Sequence, residues 1–322
     1  MRALLLSLIV LTTLFSCDSK QNKTITLKES TGRINHLTIV IDNDLWRGQI
    51  GDSLRQIIAN PVLGLPQEEA QFSITQVPTK SFGKLFKSTR NLLFVGISEK
   101  EGYWVNNDMF ASPQLGMNII AKDKESLLSL INEHKNDIID VFKGADLKLY
   151  QAKVTKDHWE SKEVKTLSNF NVSMDIPKKY DLIDDTNDFL WFRYDIDKGS
   201  MNIIGYSLPL MYSDSIVNNI VAARDTIGKK YIPGPSKDSY MITEAAYTPF
   251  IKKVDFNGLT AFETRGKWEV YNDFMAGPFL NYTILDEKNN RVLVFEGFTF
   301  APSINKRDYM FELEAIIKTL KI

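Results

Sequence analysis

His36-Leu37-Thr38-Ile39-Val40-Ile41 is β-branched and apolar along its whole length, which reads as a buried strand. The residues after it decide how that strand is covered. Ile50, Leu54, Ile57 and Ile58 recur at helical spacing over about Ile50–Asn60, and Pro61 ends the pattern. Phe72-Ser73-Ile74-Thr75-Gln76-Val77 alternates like a half-buried strand, and Ser81 could cap a short helix carrying Phe82, Leu85 and Phe86. Leu92–Ile97 and Met117–Ala121 are further apolar strands, followed by a helix with Leu127, Ile131, His134, Ile138 and Phe142 on one stripe. Strands alternating with helices predict an α/β domain over residues 34–150, its helices packed against a sheet.

The pattern changes beyond that point. Residues 151–168 carry Lys153, Lys156, Asp157, Glu160, Lys162, Glu163 and Lys165, a charged stretch that reads as a connecting helix or an extended linker. Phe170–Ile176 alternates as a strand with one face buried. Phe189–Tyr194 and Met201–Leu208 flank a hairpin-like turn at Asp197-Lys198-Gly199. A helix over about Asp214–Ile227 ends at Gly228, and strands recur at Thr260–Thr264, Phe279–Leu285 and Arg291–Phe300. Asn305 and Asp308 open a final helix with Met310, Leu313, Ile317 and Leu320 inward. Residues 169–322 are therefore expected to form an α+β domain, an antiparallel sheet with flanking helices.

The N-terminus reads as an address. Met1-Arg2, an apolar stretch from Ala3 to Phe15, and Ser16-Cys17 have the architecture of a secretory signal, too short to span a bilayer. Leu14-Phe15-Ser16-Cys17 resembles a lipobox, which implies cleavage after residue 16 and acylation of Cys17, palmitate included. Residues 17–33 would then be the acylated cysteine and a polar, flexible tether. Loss of residues 1–16 from 322 leaves 306, long enough for two domains. Cys17 is the only cysteine, so a mature chain with that thiol acylated has no disulfide and no thiol chemistry. Lysines and acids are interspersed at a net charge of −1, which argues against nucleic acid as a partner.

Chemistry-bearing motifs are sparse. His36, His134 and His158 have no metal-ligand spacing; His134 reads as a satisfied core residue and the others as surface. Gly83–Thr89 lacks the second glycine of a phosphate-binding loop, and Gly96–Lys100 lacks the closing glycine of a nucleophile elbow. Asp184–Asp188 lacks the turn glycine of a calcium loop. No catalytic residue, metal or cofactor is assigned.

The denser signal is C-terminal. Arg265-Gly266-Lys267-Trp268-Glu269 precedes Phe274-Met275-Ala276-Gly277-Pro278-Phe279, and upstream stand Arg224-Asp225, Pro233-Gly234-Pro235 and Ser239-Tyr240-Met241. With Lys306–Tyr309, and with Asp44–Trp46, Gly51–Arg55, Leu65–Gln67 and Arg90-Asn91 in the first half, the chain resembles a family of uncharacterised lipoproteins of Bacteroidetes-type bacteria, a domain of unknown function. Lys267 replaces a commoner apolar residue and Ala276 a glycine. The resemblance covers nearly the whole mature chain and implies export and acylation, but no activity.

Arg224, Tyr240, Arg265, Trp268 and Glu269 are the candidate cluster. They could line a recognition groove, or form an internal Arg–Glu pair packed over Trp268. Strand alternation would send Arg265, Lys267 and Glu269 to one face, and Gly266 and Trp268 to the other. A non-catalytic binding or assembly module of the cell envelope is placed first, lipid-anchored on the outer-membrane or periplasmic side, with an envelope protein or glycan as partner. The alternatives are a hydrolase of envelope polymer using paired carboxylates such as Glu244, Glu263 or Glu269, and a purely structural tether.

Overall fold

The computed structural model describes residues 26–210 and 213–322. The signal, Cys17 and the start of the tether lie outside the described residues. In chain order the first half contains β1 His36–Val40, α1 Gln49–Ile58, β2 Ser73–Val77, β3 Asn91–Ile97, β4 Gly102–Asn107, β5 Leu115–Ala121, α2 Lys124–Glu133 and α3 Lys135–Val154. The sheet order is β2-β1-β3-β5-β4, parallel except for the antiparallel edge strand β4. Ile50, Leu54 and Ile58 of α1, Leu127 and Ile131 of α2, and Ile138 and Phe142 of α3 pack on Leu37, Ile39, Leu93, Met117 and Ile119 of the sheet. Asp123 caps α2 by accepting a bond from the Ser126 amide at 2.8 Å.

The single helix expected over Leu127–Phe142 is two helices. They meet at His134, whose ring stacks on Tyr103 with centroids 3.8 Å apart while Nδ1 lies 2.7 Å from Asp137. His134 is thus a half-buried joint between helices rather than a core position on one stripe.

The second half contains α4 Lys165–Phe170, β6 Asp181–Asp185, β7 Phe189–Ile196, β8 Gly199–Pro209, α5 Ser213–Tyr231, β9 Tyr240–Thr243, β10 Phe250–Phe256, β11 Leu259–Tyr271, β12 Ala276–Asp286, β13 Arg291–Phe300 and α6 Arg307–Ile317. All pairings in its sheet are antiparallel, in the order β9-β11-β12-β13-β8-β7-β6, with β10 also against β11. One face packs on α6, α4 and the end of α3 through Leu280, Tyr282, Leu293 and Phe295. The other packs on α5 through Ile204, Phe262, Phe279 and Val294. The chain is thus an α/β unit followed by an antiparallel α+β unit.

The strand expected at Phe170–Ile176 is absent. Phe170 ends α4, and Val172, Met174 and Ile176 are buried alternately without a ladder. The Ser173 and Lys321 backbones exchange bonds of 3.0 and 2.8 Å instead. Residues 151–168 are packed as well: Val154, Val164 and Leu167 lie in the second core, and their charged neighbours face outward. Among the described residues no helix is long and apolar enough to cross a membrane, and no group of three or more potential ligands could hold a metal.

Candidate functional site

Strand β11 carries three of the five candidates, Arg265, Trp268 and Glu269, and its burial alternates from Glu263 to Val270. Thr264, Gly266, Trp268 and Val270 are buried, while Glu263, Arg265, Lys267 and Glu269 are half-buried on the opposite side. Gly266 is required because a Cβ there would lie 2.8 Å from the Phe279 ring.

On the charged side, Arg265 donates from Nε to Glu263 at 2.6 Å and from Nη2 to Glu314 of α6 at 2.8 Å. Lys318 Nζ reaches Glu314 at 2.6 Å, and the Tyr282 hydroxyl donates to Glu263 at 2.9 Å. Burial alone would push Glu314 upward, but Arg265 and Lys318 outweigh it and hold the carboxyl down at about 2. Glu314 therefore stays ionised near neutrality and cannot donate a proton there. Arg265 pairs with Glu263 and Glu314, not with Glu269. Glu269 makes no ion pair among the described residues, and Glu244 stands 4.0 Å from Lys267.

The buried side holds a cavity of about 360 Å³. Trp191, Trp268, Phe298 and Phe300 wall it, Trp268 meeting Phe298 edge-on at 5.7 Å. It exists because α5 stops at Tyr231 and leaves the end of the sheet face uncovered by helix. Ile232-Pro233-Gly234-Pro235 turns back over the gap, held by Met241 N to Ile232 O at 3.0 Å and Gly234 N to Ser239 O at 2.9 Å. Ser236 Oγ ties that loop to Asp273 at 2.5 Å, beside Met275, which closes another side. Most polar groups of the cavity are taken: Trp191 Nε1 donates to Asn202 Oδ1 at 3.0 Å, Asn202 Nδ2 to Ser200 Oγ at 3.1 Å, and Arg193 Nε to Asp195 at 2.7 Å. Among the described residues Trp268 Nε1 is buried without a hydrogen-bond partner. The surface presented to a ligand is thus aromatic and aliphatic, within the size range of small binding pockets.

Arg224 ties α5 to the sheet beside this cavity. From α5 it donates to Glu296 of β13 at 2.8–3.0 Å and to Thr243 at 3.0 Å, with its guanidinium 3.9 Å from the Phe279 centroid. Asn281 Nδ2 donates to Glu296 at 3.0 Å, and Asp225 accepts from the Thr243 amide at 2.7 Å. The expected Arg–Glu pair over Trp268 is therefore Arg224–Glu296 over Phe279. The Arg265 network lies across the sheet from Trp268. Tyr240 stacks on Tyr271 at 5.1 Å and alternates with the cavity-lining Met241, so it points away from the cavity.

Of the five candidates, Arg224 and Trp268 share the α5 side of the sheet, while Tyr240, Arg265 and Glu269 belong to the other. Sequence reasoning missed Trp191, Phe300, Glu296 and Glu314. One signal was available: Glu296 is the lone acid inside the apolar run Val292–Phe300, where a charge needs a partner.

Family models account for both halves. A domain of unknown function (DUF8532) matches residues 30–155, and another (DUF4837) matches residues 159–319. No curated protein matches the chain. The second match spans half the chain and contains the cavity, its Pro-Gly-Pro roof and the Arg224–Glu296 pair, so the protein belongs to the DUF4837 family of unknown function.

Proposed function

We propose that this chain is a cell-envelope lipoprotein, held to a bacterial membrane on its outer-membrane or periplasmic side by acylated Cys17. It works as a non-catalytic binding or assembly module, and its docking point is the Trp268 cavity. The observation that carries this reading is the cavity itself. Two tryptophans and two phenylalanines form a concave apolar surface at the uncovered end of a sheet, where three of the family-like motifs meet. Aromatic pockets of this kind anchor single side chains and supply most of an interface's energy. A protein partner fits better than a glycan. A sugar needs several free hydrogen-bonding groups, whereas Trp191, Asn202 and Ser200 are taken up by one another and Arg193 by Asp195. The occupant is an apolar side chain presented by an envelope protein.

The test is crosslinked co-purification of the acylated protein from envelopes, with Cys17→Ser run beside it. Wild type is expected in the detergent-extracted membrane fraction with a defined protein partner, and Cys17→Ser outside that fraction. Tight membrane association of Cys17→Ser would remove the anchor. Recovery of glycan with no protein would remove the assigned partner class.

A further inference from the structure

A second cavity, of about 460 Å³, opens where the two halves meet. Leu63, Ile139 and Leu147 line it from the first half, and Phe250, Met310 and Phe311 from the second. Its charges are mostly neutralised. Glu263 and Glu314 are taken by Arg265 and Lys318. Arg307 is paired with Asp308 at 2.8 Å and donates to Ala70 O and Ser73 Oγ.

Asp140, Lys143 and Lys252 make no ion pair among the described residues, and of these Asp140 and Lys252 are exposed whereas Lys143 is half-buried. Its Nζ donates to Asn35 Oδ1 at 2.6 Å and lies over the rings of Phe72 and Phe311, 4.9 and 5.3 Å from their centroids. Asp146, one turn along α3, is occupied by the Asn35 amide at 2.7 Å, Asn91 at 3.1 Å and Arg90 at 3.3 Å. An ammonium set beside aromatic rings with carboxylates near but none in contact is left without a direct ion-pair partner.

We infer that this cleft binds an amphipathic anion, its charged head on Lys143 and its aliphatic body along the apolar walls. A free fatty carboxylate and a phosphate-headed lipid fragment share that chemistry. Burial, reinforced by Arg307, lowers Lys143 to about 7, against the opposing pull of Glu314, Asp308 and Asp146. A bound anion favours the protonated amine, so binding weakens above that range. The other charges on the cleft are Asp140, Lys252 and the Arg265–Glu263–Glu314–Lys318 network, which is held within itself.

The probes are hexanoate, hexyl phosphate and neutral hexanol, titrated by calorimetry into the full chain in zwitterionic micelles at pH 6 and pH 9. Saturable binding of an anion at pH 6, weaker at pH 9 and absent for hexanol, is the expected result. Hexanoate alone would identify a carboxylate site, hexyl phosphate alone a phosphate site, and both a site that reads charge rather than head shape. Lys143→Gln is expected to weaken binding at least about tenfold. Lys252→Gln, on the exposed strand β10, should change it less than about threefold. A diazirine-bearing carboxylate, photolysed on the wild-type chain, should label peptides carrying Leu63 or Phe311, a readout that needs no variant. Equal binding of hexanol, binding retained in Lys143→Gln, or labelling elsewhere would overturn the assignment.

Discussion

Arg224 and Glu296 are both removed from water, with relative exposures of 1% and 0%. A buried ion pair adds little net stability when intact, but breaking one leaves a stranded charge, at about 3–5 kcal/mol. Arg224→Ala and Glu296→Leu should each lose that much in denaturant melts. Because each single change strands the same network, the double variant should lose much less than the sum. Additive losses would mean that the two residues act separately. Glu314 supplies a pH signature. Its folded value of about 2 lies below the ordinary 4.5, so its stabilisation is complete above about pH 4.5 and disappears as pH falls toward 2. Stability should therefore fall over that window in wild type and fall less steeply in Glu314→Gln, as thermal melts across pH will read. At this scale the sequence announced the unusual residues, Arg224 and Trp268, but not their partners. Glu296 lies 72 positions from Arg224, and Glu314 lies 49 from Arg265. Residue type signals that a charge needs a partner, whereas the fold chooses which.

Strand β11 shows what local periodicity conveys. The expected separation of Arg265, Lys267 and Glu269 from Gly266 and Trp268 holds from Glu263 to Val270, because successive side chains on a pleat must point to opposite faces. The same rule misled at Val172, Met174 and Ile176, where alternate burial is satisfied by a backbone running along the core without a ladder. The stretch Phe250-Ile251-Lys252-Lys253-Val254-Asp255-Phe256 is a strand whose lysines hide its apolar pattern, as befits an exposed edge. Trp268→Ala should cost about 3–5 kcal/mol as a core truncation, and Phe300→Ala less, since Phe300 is only half-buried. Thermal melts that rank Phe300→Ala as the more damaging would show that the cavity wall is held together differently.

Several contacts join the halves that composition separates. Helix α3 places Ile138 and Phe142 in the first core and Val154 in the second. Leu65, from the loop after α1, is buried in the second core. Glu69 accepts from the Lys306 and Arg307 amides at 2.6 and 3.1 Å, so a carboxylate of the first half sits at the N-terminus of α6. Glu69→Ala should cost about 0.5–2 kcal/mol, and unfolding should remain one transition by fluorescence and circular dichroism. Two transitions would show that these contacts do not couple the halves. None of these joints was legible in the sequence, since a contact spanning 237 positions leaves no mark on local pattern. If the Trp268 cavity is the docking point, filling it from its rim with Met275→Trp should block the partner without disturbing the fold. The deciding measurement is crosslinked capture from envelopes by this variant and by wild type, with melting temperatures matched. Met275→Trp should melt like wild type and lose the captured protein by about tenfold or more. Undiminished capture by that variant would contradict a docking role for the cavity.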